Sequence, residues 1–335
     1  MAAGDQATPL LRVEHLRVEI STRRGTLVPV DDVSFGIGAG EVLGIVGESG
    51  AGKSIAGAAI IGLLEPPGRV AAGRIFLEGE RIDDLPPDAM RRVRGRRIGT
   101  IFQDPLTSLN PLYTIGAQLV ETIQTHTDLS ARPARERAVE LLREVGIPAP
   151  EQRVDNYPHQ FSGGMRQRVV IALALCANPR LVIADEPTTA LDVSIQAQII
   201  ALIQKLCREH GAAVMLITHD MGVIAETADR VGVMYAGRLV EIGPLREILQ
   251  HPRHPYTVGL MRSIPSVRLK GERLQQIDGS MPRLTQIPPG CPFNPRCAKA
   301  FDRCRVERPE LIEDGLSRAA CWLYAPSAAT VAQGG

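Results

Sequence analysis

Residues 47–54 read GESGAGKS and match the pattern of a phosphate-binding loop at every fixed position. The loop consists of Gly47, Glu48, Ser49, Gly50, Ala51, Gly52, Lys53 and Ser54. Its glycines allow backbone N–H groups to close around phosphate oxygens, because no Cβ stands in the way. Lys53 would reach the outer phosphates, and the Ser54 hydroxyl would bind Mg²⁺. Apolar runs before and after the loop predict a strand, a nucleotide-binding loop and a helix, and disfavour a merely flexible glycine loop.

The composition excludes several classes of protein. The chain has 335 residues, of which 38 are basic and 37 acidic, so its formal charge of +1 does not favour nucleic acid as a partner. Aromatic residues make up only 4%, which disfavours base stacking. The longest apolar run, at 169–177, is about half the length that a membrane-spanning helix needs. Residues 1–6 lack the pattern of a secretory signal, so we expect a cytoplasmic chain whose membrane association needs a partner.

Strand patterns and helix patterns alternate along most of the chain. The strand patterns lie at 11–20, 27–33, 42–46, 73–77, 97–102, 181–184, 213–217, 231–235 and 238–242. From 105 to about 176 the apolar residues instead recur with helical spacing, as in the helix that ends before Gly146 and Pro148. This alternation predicts a parallel sheet covered on both faces, with a helical insertion at 105–176. From about residue 251 the sequence is rich in Pro, Arg and Cys and has little periodicity.

Two adjacent carboxylates, Asp185 and Glu186, end the apolar strand pattern at 181–184. Because successive side chains of a strand point to opposite sides, we expect the two carboxylates to do different work. One could hold Mg²⁺, and the other could accept a proton from water. Such a pair usually lies in a solvated turn, but its occurrence together with a phosphate loop favours the chemical interpretation.

Residues 162–164 predict a second anion-binding helix start. Ser162, Gly163 and Gly164 place a hydroxyl group and two small residues before the apolar run at 169–177. On its own, Ser-Gly-Gly is a common helix cap or linker. Its place between the phosphate loop and the carboxylate pair favours anion binding.

In this order the motifs resemble the nucleotide-binding subunit of an ATP-binding cassette (ABC) transporter. The resemblance covers about residues 10–245 and includes the phosphate loop, Gln103 and residues 161–167, 185–186, 190–192 and 218–220. Residues 102–111 (FQDPLTSLNP) and 254–257 (HPYT) look like the oligopeptide, dipeptide and nickel importers. Met165 and Arg166 are more similar to the first of the two paired ATPases of such importers.

The resemblance implies the fold and the domain organisation. The fold class would be α/β, a P-loop NTPase (RecA-like) with a parallel-sheet core, an antiparallel β subdomain and a helical insertion. Residues 1–245 would form the nucleotide-binding domain, and residues 246–335 a separate small extension that contains cysteines. ATP and Mg²⁺ would be the ligands.

The resemblance also implies the catalytic roles. Glu186 would act as the general base that polarises water. His219 would contact the γ-phosphate and orient Glu186, and Gln103 would touch Mg²⁺ or the water. Mg²⁺ would be bound by Ser54, Gln103 and Asp185.

The implied site needs two chains. Ser162, Gly163 and Gly164 would contact ATP held by the other subunit, and Asp192 would line the seam between them. The partners would be a homologous second ATPase, two transmembrane permease subunits and, through the complex, an extracytoplasmic substrate-binding protein. The chain would lie at the cytoplasmic face of the cell membrane.

The sequence departs from the family at the adenine contact. Family members usually carry an aromatic residue before the phosphate loop, which stacks on the base. Between Ser21 and Val30 this chain has Arg23 and Arg24 but no aromatic residue. Either an arginine stacks on adenine or the base is held loosely.

Four cysteines cluster near the C-terminus, at Cys291, Cys297, Cys304 and Cys321. A reducing cytoplasm disfavours disulfides, so metal is the better interpretation. Zinc sites usually have closer cysteine pairs, which favours an iron–sulfur cluster, and some members of the importer family are understood to carry a 4Fe–4S cluster here. Zinc or no metal are the alternatives. Nucleotide binding is expected to survive loss of these cysteines, because the phosphate-contacting residues precede position 220.

Three functions compete. The first is the ATPase subunit of a peptide importer, with nickel or another small solute as the alternative cargo. The second is a soluble ABC ATPase acting on nucleic acid or ribosomes, which the single cassette and the near-zero charge disfavour. The third is a nucleotide-dependent switch without hydrolysis, which the presence of Glu186 disfavours.

Overall fold

The computed structural model describes residues 8–189, 192–263 and 277–325. These residues contain twelve strands and twelve α-helices. The strands are β1 (Leu11–Thr22), β2 (Gly25–Ile37), β3 (Val42–Val46), β4 (Gly68–Leu77), β5 (Glu80–Arg81), β6 (Ile98–Ile101), β7 (Leu181–Asp185), β8 (Ala213–Ile217), β9 (Arg230–Tyr235), β10 (Arg238–Pro244), β11 (Ile312–Asp314) and β12 (Ser317–Ala319). The helices are α1 (Lys53–Ile60), α2 (Pro87–Val93), α3 (Pro105–Ser108), α4 (Ile115–His126), α5 (Ala131–Glu144), α6 (Pro150–Arg153), α7 (Gly163–Leu175), α8 (Val193–Glu209), α9 (Met221–Thr227), α10 (Leu245–Gln250), α11 (Pro255–Arg262) and α12 (Asp302–Val306). Across these ranges, none of the helices combines the length and the apolar character that a bilayer crossing requires.

The larger sheet has the strand order β11-β12-β10-β9-β3-β8-β7-β6. The strands from β9 to β6 are parallel, and the other three are added antiparallel. Alternate residues of β3 enter two different cores: Val42 and Val46 pack on the side of the helical region, and Leu43 and Ile45 on the opposite side. A strand buried on both faces has to be apolar throughout. The predicted parallel-sheet core is therefore confirmed.

The second sheet is antiparallel, with the order β2-β1-β4-β5. Its strands are longer than the sequence pattern indicated, because β1 continues to Thr22 and β2 begins at Gly25. The register between β1 and β4 shifts after Glu14, which breaks the alternation of apolar and polar residues. The predicted antiparallel subdomain is confirmed, whereas its strand ends could not be predicted from an irregular pattern.

Residues 105–175 contain helices α3 to α7, which pack against one face of the larger sheet. In α5 the residues Ala138, Leu141 and Leu142 are buried, as their spacing predicted. The helix ends before Gly146, whose φ of 74° lies in the left-handed region and whose N–H donates to the Arg143 carbonyl. The predicted helical insertion is therefore confirmed.

The C-terminal extension continues the larger sheet. β12 pairs with β10 through Glu241–Ala319 and Ile242–Arg318, and β11 completes a hairpin with β12. Each of the two strands has only three residues of mixed polarity, so neither produced a strand pattern. Backbone hydrogen bonds thus join the extension to the sheet, and its division from the nucleotide-binding domain after residue 245 stays a prediction.

Gly99 of β6 lies where the strand passes close to α7. A Cβ at this position would be 2.2 Å from the Ala174 carbonyl oxygen. We expect Gly99→Ala to lower the free energy of unfolding by about 1–3 kcal/mol, because backbone has to move to relieve the overlap. Urea unfolding followed by circular dichroism measures this change.

Gly36→Ala in β2 is the control. Its Cβ would meet the side chain of Pro9 at 3.3 Å, a contact that a small shift relieves. Equal destabilisation by the two variants would contradict the role assigned to the strand–helix contact.

Candidate functional site

The phosphate loop joins β3 to α1 and depends on two glycines for its path. Gly47 and Gly52 have φ values of 153° and 98°, which other residues rarely adopt. A Cβ on Gly47 would lie 2.2 Å from the Met234 carbonyl oxygen, and one on Gly52 would lie 2.3 Å from the Pro29 carbonyl oxygen. The glycines therefore allow the loop to pass close to β9 and β2 while its backbone N–H groups stay unobstructed.

Lys53 is the first residue of α1, and its side chain is buried. Its Nζ donates to the carbonyl oxygens of Gly47 at 2.9 Å and Glu48 at 3.2 Å, so the side chain folds back along the loop. Burial lowers the pKa of Lys53, and the carboxylates of Glu186 and Asp185 oppose that effect. An ammonium group held in this way offers a fixed positive charge to a phosphate in the loop.

Ser54 and Asp185 form a pair of oxygen donors suited to Mg²⁺. The Ser54 hydroxyl donates to Asp185 Oδ1 at 2.9 Å. Burial raises the pKa of Asp185, and the Ser54 hydrogen bond opposes that effect. A bound cation would compensate for the buried negative charge, and hydroxyl and carboxylate oxygens are the ligands that Mg²⁺ prefers. The residues present therefore fit the metal that the sequence implied.

The Glu186 carboxylate is held by three side chains. Its Oε2 accepts from Thr189 Oγ1 at 2.9 Å and from Gln103 Nε2 at 3.3 Å, and its Oε1 lies 3.3 Å from His219 Nδ1. Burial raises the pKa of Glu186, but the hydrogen bonds from Thr189 and His219 and the charge of Lys53 outweigh burial and lower it. The carboxylate is therefore ionised and oriented, as a general base has to be.

The backbone at Glu186 separates the two adjacent carboxylates. Glu186 has a φ of 44°, in the left-handed region, and its N–H donates to the Ile217 carbonyl at 2.8 Å. Such strain in a non-glycine residue occurs mainly at functional sites. Asp185 consequently bonds Ser54, whereas Glu186 bonds Gln103 and its other two partners.

Thr189 is a site residue that the sequence analysis missed. It lies three residues after Glu186, on the same turn, and donates to that carboxylate. A hydroxyl residue three positions from a carboxylate is a weak signal, because Ser and Thr commonly bond within turns. Only the structure shows that this hydroxyl supports the candidate base.

Residues 162–164 lie at the start of α7. The Ser162 Oγ accepts from the Met165 N–H at 3.4 Å, and Gly163 and Gly164 form the first turn. Asp192 occupies the N-cap position of α8 without a side-chain capping hydrogen bond and, like Ser162, is exposed. Within the described part of the chain, no hydrogen bond or ion pair joins residues 162–164 to the phosphate loop. Residues 190 and 191, which also belong to the resemblance, lie outside the described residues.

Arg23 and Arg24, the residues considered for adenine, lie in the turn between β1 and β2. Both are exposed, and the Arg24 N–H donates to Thr22 Oγ1 at 3.2 Å. An exposed guanidinium has the planar face that stacking on a base requires. The adenine contact stays unassigned.

The four C-terminal cysteines line one small cavity. Cys291, Cys297, Cys304 and Cys321 share this cavity of about 20 Å³ with His254. Burial raises the pKa of the Cys291 thiol to about 11, and the other three cysteines add to that effect. As the side chains stand, no group of three or more His, Cys, Asp or Glu among the described residues could hold a metal ion. The cysteines thus converge without forming the shell of a single ion, and metal binding stays a prediction.

Comparisons with known proteins point to one family. A model of the ABC transporter family matches residues 30–189, and a model of the oligopeptide/dipeptide transporter C-terminal region matches residues 240–304. A putative peptide import ATP-binding protein of Brucella abortus (strain 2308) is 49% identical over 90% of this chain and 93% of its own. The dipeptide transport ATP-binding protein DppD of Bacillus subtilis (strain 168) is 48% identical over 94% of each chain. DppD of Escherichia coli (strain K12) is 48% identical over 90% of this chain and 92% of its own.

Two solved structures share the fold. The ATP-binding cassette MJ0796, a dimer in a post-hydrolysis state with ADP and Pi, has a TM-score of 0.63 and 29% identity, over 70% of this chain and 99% of its own. The protein cbiO1 of Clostridium perfringens, part of the ABC transporter complex cbiONQ, has a TM-score of 0.63 and 28% identity, over 76% and 96%. These neighbours confirm the predicted fold class.

Proposed function

This chain belongs to the ABC transporter family, in its oligopeptide/dipeptide group, and we propose that it hydrolyses ATP to drive peptide import. The names of its relatives, peptide import and dipeptide transport proteins, favour peptides over nickel as the cargo. The main observation that supports hydrolysis concerns the Glu186 carboxylate. It is ionised, and three side chains hold it near the charge of Lys53.

We infer a role for each part of the site, and its geometry supports these roles. The loop N–H groups and Lys53 bind the phosphates of ATP. Mg²⁺, held by Ser54 and Asp185, would neutralise charge that develops on the phosphates. Glu186 accepts a proton from the attacking water, and its three hydrogen-bond partners keep the carboxylate oriented. Gln103 donates to Glu186, so we infer that its amide would contact the attacking water.

Each complete site combines two chains. The exposed Ser162, with Gly163 and Gly164, would close over ATP held in the partner's phosphate loop, and Asp192 would line the seam. Backbone N–H groups at a helix start and in a phosphate loop can hold one nucleotide from two sides. The proposed partner is a homologous second ATPase, with a second copy of this chain as the alternative.

An apolar groove beside β6 is the proposed contact with the two permease subunits. It is a cavity of about 250 Å³ between the end of α1, β6 and α7, and its lining includes Leu63, Phe102 and Leu173. Leu63 and Phe102 are 43% and 45% exposed, as expected of large apolar side chains that a partner covers. Phe102 directly precedes Gln103, and the Gln103 amide donates to Glu186. A permease loop bound in the groove would therefore be coupled to Glu186 through Gln103.

This contact also implies where the chain works. Seated on the permeases, it would be a peripheral subunit at the cytoplasmic face of the membrane. An extracytoplasmic binding protein would deliver the peptide from the other side. The cargo would therefore be selected by subunits other than this chain.

The four clustered cysteines are the proposed ligands of a 4Fe–4S cluster, with zinc as the alternative. Their convergence on one cavity supports a shared group with thiolate ligands. Zinc sites usually have closely spaced cysteine pairs, which residues 291–321 lack, and this spacing favours the cluster. Its role would be structural or sensory rather than hydrolytic.

Glu186→Gln should lower ATP hydrolysis by about 10²–10⁴-fold and leave ATP binding intact, because only the proton acceptor is lost. Lys53→Ala should instead abolish productive binding. Hydrolysis by the assembled complex and binding of a fluorescent ATP analogue measure the two effects. Glu226→Gln, at an exposed position of α9, is the matched control. Near-normal hydrolysis by Glu186→Gln would remove Glu186 as the base.

The isolated chain should be a weak ATPase whose specific activity rises with protein concentration and on addition of its partner ATPase and permeases. The reason is that Ser162 and its neighbours act on ATP in the opposing subunit. Hydrolysis measured across a dilution series tests this dependence. Full activity of a dilute monomer would contradict the two-chain site.

Protein purified without oxygen should be brown and contain about four irons per chain if the cysteines bind a 4Fe–4S cluster. Cys304→Ser should bleach the colour and loosen residues 285–325, because the metal and folding are coupled. Elemental analysis and limited proteolysis measure both effects. Cys207→Ser is the control, since Cys207 is a buried thiol of α8. One zinc per chain would support the alternative, and a folded extension without metal would exclude both.

A further inference from the structure

Arg296 joins the cysteine-containing extension to the phosphate loop. It ends the 3₁₀ turn Asn294–Arg296, directly before Cys297, and its side chain is only 7% exposed. Its Nη1 donates to both carboxylate oxygens of Glu48, at 3.0 and 3.1 Å, and to the Tyr235 hydroxyl at 3.3 Å. Glu48 is the second residue of the phosphate loop and lies 248 positions earlier in the sequence.

The rest of the guanidinium group is also bonded. Nε donates to the Asp278 carbonyl at 2.8 Å, and Nη2 donates to the carbonyls of Ile277 and Gly279, both at 3.3 Å. The ring of Phe293 lies 5.8 Å from the guanidinium carbon. A planar guanidinium bonded through all three nitrogens has a fixed orientation. The Glu48 carboxylate therefore accepts hydrogen bonds from a guanidinium group whose orientation is fixed.

A second residue of the extension holds the backbone of Glu48. The buried Tyr256, in α11, accepts the Glu48 N–H on its hydroxyl oxygen at 2.9 Å. Met281 lies against the same loop, because a Cβ on Gly50 would be 3.1 Å from its Cε. A phosphate loop binds through the positions of its N–H groups, and a loop that is already ordered loses less conformational freedom when the ligand binds.

We propose that Arg296 is a positioning residue for nucleotide binding and makes the ATP affinity of the phosphate loop depend on the state of the cysteine site. The proposal rests on the proposed function, because it assumes that the loop binds ATP. Cys297 follows Arg296 directly as the C-cap of this turn, so a displacement of Cys297 would also displace the turn that carries the guanidinium group. Loss of the cysteines should therefore weaken nucleotide binding. The sequence alone predicts the opposite, namely that nucleotide binding survives this loss.

Arg296→Ala in the full-length chain should weaken binding of a fluorescent ATP analogue roughly tenfold, a usual size for coupling between contacting segments. In the assembled complex the KM for ATP should rise by a similar factor while kcat changes little, because loop order is needed equally before and during the reaction. Arg296→Lys should give an intermediate affinity, since lysine keeps the charge but lacks the planar guanidinium group with its fixed N–H donors.

Arg303→Ala is the matched control. Arg303 pairs with Glu307 at 2.7 Å and stacks on Trp322 at 3.6 Å, both within the extension. This variant should keep the wild-type affinity. Equal weakening by Arg296→Ala and Arg303→Ala would mean that general loosening of the extension is responsible, and would overturn the proposal.

Glu48→Gln tests the same contact from the loop side if Arg296→Ala does not fold. It removes the negative charge and leaves the extension unchanged, and it should also weaken ATP binding. Wild-type affinity in a folded Glu48→Gln or Arg296→Ala variant would overturn the positioning role while the proposed ATPase function stands. Failure of the wild-type chain to bind ATP at all would overturn the proposed function itself.

A double-mutant cycle tests the link to the cysteines. Cys297→Ser should weaken ATP binding in the wild-type background but add little to Arg296→Ala, because both changes release the same contact. Additive effects of the two substitutions, or unchanged affinity in Cys297→Ser, would show that the cysteine site does not act through Arg296.

Discussion

The register of three parallel strands determines where the functional residues lie. Ile45 of β3 pairs with Ile217 of β8, which in turn pairs with Asp185 of β7. The segments that follow these residues therefore emerge side by side at the carboxyl edge of the sheet, where ligands bind in open α/β folds. A shift of one residue in either pairing would turn the strand faces over and separate Ser54 from Asp185. The hydrogen bonds of the site thus depend on the pairing of the strands that lead into it.

The site places two adjacent carboxylates in opposite electrostatic conditions. Burial raises the pKa of Asp185, whereas hydrogen bonds and the charge of Lys53 lower the pKa of Glu186. A bound cation would stabilise the first carboxylate, whereas the second is already ionised, as its proposed role of proton acceptor requires. Divergent environments of neighbouring acids are a usual way of giving them different roles. The left-handed backbone at Glu186 makes this divergence possible, since it directs the two side chains to different partners.

Features that produce a local pattern could be predicted from the sequence. The glycine-rich loop, the buried strands and the α5 helix each follow a spacing set by their own backbone. Features that depend on contacts between distant segments could not be predicted from the sequence. The β11–β12 hairpin is too short and too polar to show a period, and the bond between Arg296 and Glu48 joins residues with no shared motif. Thr189 was missed for a related reason, because a hydroxyl in a turn has many ordinary partners.

The β11–β12 hairpin also determines which unpaired backbone groups the edge of the larger sheet exposes to other proteins. β10 is a largely buried strand of seven residues, and without β12 its free N–H and C=O groups would be a template for strands of another molecule. The outermost strand is instead β11, which has three residues and ends in Glu313 and Asp314. A short acidic rim is a poor template for aggregation. A chain that is proposed to associate with other subunits through its faces is thereby protected from pairing with them through the edge of its sheet.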